Sequence, residues 1–254
     1  MIESYIRKQR EHKDILLMTH IVIGYPTLDD SLRIVKEMIN AGVDLMELQI
    51  PFSEPIADGP VILRANQEAL AKGITVRDCF DFAERVTGEY QIPILFMSYY
   101  NILFKYGVDK FADNMARIGM RGAITPDLPP EEAADYLNAM KRNNLSPIFI
   151  LAPNTSEKRR RMIAEHSDGF VYCVARKGVT GQKTDFSTDL NDSLASSRKA
   201  TTLPLAVGFG VKDKADVDFL REKADIAVIG SQSIRIVDDQ GVGAIGDFIR
   251  ELRS

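Results

Sequence analysis

The sequence predicts an α/β protein, a single (β/α)8 barrel over residues 1–254 with an extra helix at its N-terminus. Three observations predict it. Eight short runs rich in Ile, Leu and Val recur along the chain without alternating with polar residues, the pattern of parallel strands covered on both faces. Helical patterns fill the gaps, so strands and helices alternate from end to end. The length of 254 residues is the usual size of one such TIM barrel, roughly 250 residues. A chain of that size buries about 70–75% of its unfolded surface, enough for a full core without a disulfide or metal.

Taken in order, the first dozen residues read as an amphipathic helix ahead of the first strand. The apolar runs are 15–23, 42–50, 92–97, 122–125, 147–152, 169–174, 203–207 and 226–229. Between the first two, residues 28–40 place Leu32, Ile34, Val35, Met38 and Ile39 at helical spacing. Pro129-Pro130-Glu131-Glu132 opens another helix, because proline fits the first turn and acids there favour the helix dipole. Asn143-Asn144 marks its end, since Asn tolerates the left-handed cap conformation. Residues 213–222 and 243–252 supply two late helices. A doubly wound open sheet is the competing fold. It would carry a glycine-rich nucleotide turn after the first strand, and Ile23-Gly24-Tyr25-Pro26 is no such fingerprint.

Composition narrows the function. With 32 basic and 36 acidic residues the formal charge is −4, which lacks the basic excess of a nucleic-acid binder. The run Lys158-Arg159-Arg160-Arg161 reads as the solvated face of a helix. Cys79 and Cys173 fall in apolar surroundings and read as buried reduced thiols, as in a cytoplasmic protein. The first residues lack the apolar stretch of a signal peptide, and no apolar run is long enough to span a bilayer. His12, His20 and His166 are scattered, so no metal site is expected.

Barrel chemistry sits at the C-terminal ends of strands and in the loops that follow. Glu47 is a carboxylate inside the second apolar run. A buried acid is costly unless paired or used, and burial raises its pKa toward the range of a general acid/base. It reads equally as a structural acid. The next loop, from Pro51 to Pro60, holds two further acids, Glu54 and Asp58, and three prolines, which stiffen it. Asp58-Gly59 is also a plain turn signal. After the last two strands come Gly208-Phe209-Gly210 and Gly230-Ser231-Gln232-Ser233, where glycines let backbone N–H groups reach an anion and a serine adds a hydroxyl. These two ends point to a phosphate-bearing small molecule. The stretch Arg176-Lys177-Gly178-Val179-Thr180-Gly181-Gln182-Lys183-Thr184 reads either as a lid or as a long connection. Asp127 is a strand-end acid or a helix-start acid, and His20 is pocket-facing or packed.

The run Glu47-Leu48-Gln49-Ile50-Pro51-Phe52-Ser53-Glu54-Pro55-Ile56-Ala57-Asp58-Gly59-Pro60 resembles the signature of the tryptophan synthase alpha chain family, usually written E-L-G-x-P-F-S-D-P-x-A-D-G-P. Tyr99 with Asn101, Arg176 with the glycines and threonine of 178–181, Gly208-Phe209-Gly210 and Gly230-Ser231 extend the resemblance across essentially the whole chain. It implies a lyase that splits indole-3-glycerol phosphate into indole and glyceraldehyde 3-phosphate. Glu47 then matches the general acid/base, and Asp58 the acid that holds the indole N–H. Tyr172 matches a residue near the glycerol, Thr180 with Gly181 the lid, and Gly210, Gly230 and Ser231 the phosphate site. Phe209, Ile124 and Met97 match apolar positions around the indole, and Asp127 a supporting acid. The family uses no cofactor in this chain. It implies a beta-chain partner carrying pyridoxal phosphate, in an assembly of two alpha and two beta chains. Gln49, Glu54, Leu63, His20 and Lys177 depart from the family pattern, at positions where Gly, Asp, Gln, an apolar or aromatic residue and a small residue are usual. Gln49, His20 and Leu63 keep open a weakly catalytic barrel that mainly activates a beta chain. A freestanding indole-releasing lyase stays open too. Another phosphate-binding barrel, such as a phosphoribosyl isomerase, would not need Glu47 and Asp58 in this proline-rich loop.

Overall fold

The computed structural model describes residues 2–174, 188–208 and 210–254. Nine strands lie in one parallel sheet among them: β1 (Leu16–Val22), β2 (Leu45–Gln49), β3 (Ile94–Met97), β4 (Gly122–Ile124), β5 (Ser146–Ile148), β6 (Ile150–Leu151), β7 (Val171–Val174), β8 (Leu205–Gly208) and β9 (Ile226–Ile229). Their order is β5-β4-β3-β2-β1-β9-β8-β7-β6. The two ends of that list, β5 and β6, are consecutive in the chain and separated only by Phe149. The fifth apolar run is therefore one strand broken at Phe149, its first part paired to β4 and its second to β7. Eight runs make nine strand segments, and the sheet closes into the expected TIM barrel.

Strand parity sorts the side chains. Leu16, Met18, Leu45, Leu95, Met97, Ile124, Ile148, Phe170, Tyr172, Ala206, Ile226 and Val228 pack together inside the barrel. The residues between them, such as Leu17, Ile21, Met46, Leu48, Phe96, Val171, Val207 and Ala227, pack outward against the helices. Burial on both sides is why the runs show no polar alternation. The N-terminal helix, Ile2–Arg10, sends Ile2 and Ile6 into the inner cluster and covers the barrel's lower end. Buried Asp44, just before β2, secures that end further. It accepts from the Leu17 N–H at 2.8 Å and from Lys13 at 2.5 Å, and it pairs with Arg253 of the C-terminal helix Ile245–Arg253.

The helix Leu28–Asn40 has the expected bounds and is capped by the Thr27 hydroxyl, which accepts from the Asp30 N–H. Two local readings change. Pro130–Glu132 forms a short 3-10 turn, and the α-helix proper is Ala134–Arg142; Asn144, with φ of 53°, takes the left-handed conformation beyond it. In the helix Glu157–His166, Arg160 does not join the solvated face. At 4% exposure it donates to the carbonyls of Thr155 and Pro153 and to the Ser197 hydroxyl at 3.0, 2.8 and 2.7 Å. A guanidinium can be buried when its donors are met this fully. Cys79 and Cys173 are free and buried, and burial pushes the Cys173 thiol up to about 11. Among the described residues, no helix is long and apolar enough to cross a membrane.

Candidate active site

The inward parity of β1 and β2 places three polar side chains above Met18 and Leu45: His20, Glu47 and Gln49. They are 2%, 2% and 0% exposed. In the parallel ladder His20 stands beside Glu47, and Val22 beside Gln49. His20 Nδ1 lies 3.0 Å from Glu47 Oε1. The Oε2 atom of Glu47 is buried without a hydrogen-bond partner. A desolvated carboxylate oxygen left unsatisfied at a strand end is what a proton-transfer group looks like before substrate binds.

The loop after β2 brings Asp58 to the same place. Phe52 stacks on Tyr99 with ring centroids 5.1 Å apart, and its N–H donates to Oδ1 of fully buried Asn66 at 2.9 Å. The Ala57 N–H donates to the Tyr99 hydroxyl at 3.0 Å. Two donors then converge on Asp58 Oδ2: Gln49 Nε2 at 2.8 Å and the Tyr99 hydroxyl at 3.2 Å. Burial pushes the Asp58 carboxyl above the usual carboxylate range, against the opposing pull of His20, Gln49 and Tyr99; the charge of Glu47 adds to the rise. Glu47 and Asp58 therefore share one desolvated region. Burial, followed by the charges of Glu47 and Asp58, raises the Tyr172 hydroxyl well above its ordinary value as well.

Tyr172 rises from β7 beside Gly208 of β8, its neighbour but one in ladder register. A Cβ at Gly208 would lie 2.4 Å from the Tyr172 hydroxyl oxygen, so the tyrosine keeps its place only because residue 208 is glycine. Met97 and Ile124 end β3 and β4 on the inner face, 8% and 0% exposed. Gly210 has a φ of 147°. Gly230 precedes the ten-residue helix Ser231–Gln240, whose first N–H groups and dipole favour an anion. Asp127 turns out to start a helix other than the one expected: its carboxylate accepts from the Tyr100 N–H at 2.8 Å and so anchors Tyr100–Tyr106, the helix after β3.

Glu47, Asp58, Tyr172, Met97 and Ile124 thus gather at the mouth, with Gly210, Gly230 and Ser231 after the late strands. Thr180, Gly181 and Phe209 lie outside the described residues. Gln49, Tyr99 and Asn66 complete the site, although no sequence pattern marks them as parts of it. Tyr99 and Gln49 stood out only as a family match and a departure, and nothing local marks Asn66 as the support of a loop 14 residues earlier. Among the described residues no group of three His, Cys, Asp or Glu side chains is placed to hold a metal ion.

The family model described as tryptophan synthase alpha chain matches residues 6–251. The chain is 66% identical to the tryptophan synthase alpha chain of Syntrophotalea carbinolica over 253 residues, all of both chains. It is 60% identical to that of Desulforapulum autotrophicum, covering 99% of this chain and 100% of the other. Its fold matches a chain of Mycobacterium tuberculosis tryptophan synthase with a TM-score of 0.93 at 30% identity, covering 99% of this chain and 96% of that one. The tryptophan synthase subunit alpha of Legionella pneumophila gives a TM-score of 0.89 at 28% identity, over 99% and 96%. The chain belongs to the tryptophan synthase alpha chain family, the lyases of tryptophan biosynthesis that cleave indole-3-glycerol phosphate to indole and glyceraldehyde 3-phosphate.

Proposed function

We propose that this barrel performs the cleavage with Glu47 as proton shuttle and Asp58 as the anchor of the indole ring. The observation that carries the reading is the pair of carboxylates on one strand and its following loop, Glu47 fully buried with one oxygen unsatisfied and Asp58 half-buried beside it. The bond to break joins indole C3 to the hydroxyl-bearing carbon of the glycerol chain. Glu47 delivers a proton to C3 and takes the proton of that hydroxyl, so it ends in the state in which it began. The C–C electron pair returns to the ring, and the carbinol carbon becomes the aldehyde. While C3 is protonated the ring nitrogen carries positive charge, and Asp58 accepts its N–H. Gln49 and Tyr99, both donating to Asp58 Oδ2, hold that carboxylate in place. Met97, Ile124, Phe209 and Tyr172 surround the ring and glycerol. Gly210, Gly230 and Ser231 hold the phosphate, with Thr180 and Gly181 in a covering segment and Asp127 as support. Tight binding of the phosphate tail positions the reacting carbons.

The product indole passes to a beta chain, which carries the pyridoxal phosphate, in an assembly of two alpha and two beta chains. The docking surface proposed for it is the mouth itself. Ile56 in the loop after β2 is 76% exposed, and Phe104 in the helix after β3 is 70% exposed. The two segments adjoin through the Ala57–Tyr99 hydrogen bond. Exposed large apolar side chains beside an active site mark a partner surface, and buried aromatics dominate such interfaces. Indole release by the purified chain, with and without a beta chain, tests the reading: slow release that rises sharply on adding the partner supports it, and none in either condition sinks it. Phe104→Glu is expected to weaken beta-chain binding by about 2 kcal/mol, roughly thirtyfold in Kd. Titrated stimulation of indole release measures that change.

A further inference from the structure

Two side chains at the mouth have no part in proton transfer to the ring, yet each is bonded to one of the two carboxylates. His20 Nδ1 meets Glu47 Oε1 at 3.0 Å, and Gln49 Nε2 donates to Asp58 Oδ2 at 2.8 Å. Their remaining polar atoms, His20 Nε2 and Gln49 Oε1, are both buried without a partner in hydrogen-bonding geometry. They sit on neighbouring strands, two ladder positions apart and on the same inner face. A neutral imidazole has one N–H and cannot donate toward both a carboxylate and an amide oxygen. An imidazolium donates from both nitrogens.

Resting on the assignment of Glu47 as the shuttle, we propose that His20 is a positioning residue. Its protonated ring engages Glu47 Oε1, leaves Oε2 as the oxygen that exchanges the proton, and joins with Gln49 to tie Glu47 and Asp58 into one row.

The surroundings favour this arrangement. Two carboxylates in one desolvated region repel each other, and a cation between them offsets that repulsion. The groups that act on His20 are Glu47 and Gln49 from β2 and Asp58 from the following loop; Tyr172 of β7, on the inner face of the same barrel, feels the same two charges. The strand on its other side, β9, is Ile226-Ala227-Val228-Ile229 and presents no titratable group. Burial opposes the charge on His20. The hydrogen bond and charge of Glu47, the charge of Asp58 and the Gln49 amide outweigh it, so the ring's proton is held more tightly than usual. Strand register sets His20 beside Glu47, and with Oε1 engaged by the ring the unpartnered Oε2 is left for substrate.

The test has two arms. In intact protein labelled at histidine nitrogens, with His20→Phe used to assign its signals, the His20 ring is expected to show imidazolium shifts at pH 7. Its titration midpoint is expected to fall by at least one unit in Glu47→Gln. In turnover, His20→Phe is expected to displace a limb of the kcat/KM profile to higher pH, because the site loses the cation beside its carboxylates. His20→Gln, which keeps a neutral donor, should recover part of kcat with the limb still displaced. A neutral His20 ring at pH 7 whose midpoint ignores Glu47→Gln overturns the proposal, as does an undisplaced limb in a folded His20 variant. The first arm needs no turnover. Were the chain to release no indole, the shuttle assignment would fail while the ring titration still decided whether the pair exists.

Discussion

Glu47→Gln is expected to reduce indole release about a thousandfold at saturating substrate, within the 10²–10⁴-fold range of general acid–base catalysis. The amide matches the carboxylate in shape, and its oxygen can still accept from His20 Nδ1, now 3.0 Å from Oε1. It cannot take up and return a proton. The loss should fall in kcat with KM little changed, because the group acts on the transition state more than on the bound substrate. Stimulation of a beta chain should survive, since Glu47 is only 2% exposed and offers a partner almost no surface, unlike Ile56 and Phe104. A loss below tenfold would return Glu47 to a structural acid. A total loss of beta-chain stimulation would mean that the variant had misfolded.

Asp58→Asn is expected to lower turnover by about a hundredfold to a thousandfold, as the removal of one preorganised charge-stabilising group does, and at the same time to raise Tm near neutral pH. The sign follows from linkage. Burial raises the folded pKa of Asp58 above its ordinary value, so the folded state binds that proton more tightly than the unfolded chain does. The stability this gives is fully present below the unfolded pKa and is lost as pH rises through the folded pKa. At pH 7 the ionised Asp58 therefore costs stability, and Asn removes the cost while still accepting from Gln49 and Tyr99. Thermal melts of both forms from pH 3.5 to 8 check it. The gap between them should shrink toward low pH, where Asp58 is neutral in both states. A lower Tm for Asp58→Asn at pH 7 would contradict the account. The opposed changes in activity and stability are those of a site that holds charge against its surroundings.

How far the sequence was legible follows from what each residue depends on. The strands were visible because both faces of a barrel strand are buried, which makes an unbroken apolar run. The same fact hid the facing of each residue: nothing in Leu16–Val22 separates inward Met18 and His20 from outward Leu17 and Ile21, and only the closed sheet assigns parity. Phe149 interrupts its strand through its place between two pairing partners, β4 and β7, which no local pattern records. Glu47 and Asp58 were readable because acids in an apolar strand and a stiff loop are chemically conspicuous. His20, Gln49 and Tyr99 were not, because their partners lie 27, 9 and 41 residues away. Arg160 misled for the same reason, as its hydroxyl partners Ser193 and Ser197 belong to the helix Thr188–Ala200.

The most direct measurement is a crystal structure of the Glu47→Gln chain with indole-3-glycerol phosphate bound, the slow variant holding the substrate uncleaved. The account predicts the indole among Met97, Ile124 and Tyr172, with its N–H on Asp58. It also predicts residue 47 beside the scissile bond, and the phosphate on the backbone N–H groups of Gly210, Gly230 and Ser231. Substrate bound with its indole away from Asp58, or with its phosphate elsewhere than the late strand ends, would contradict it.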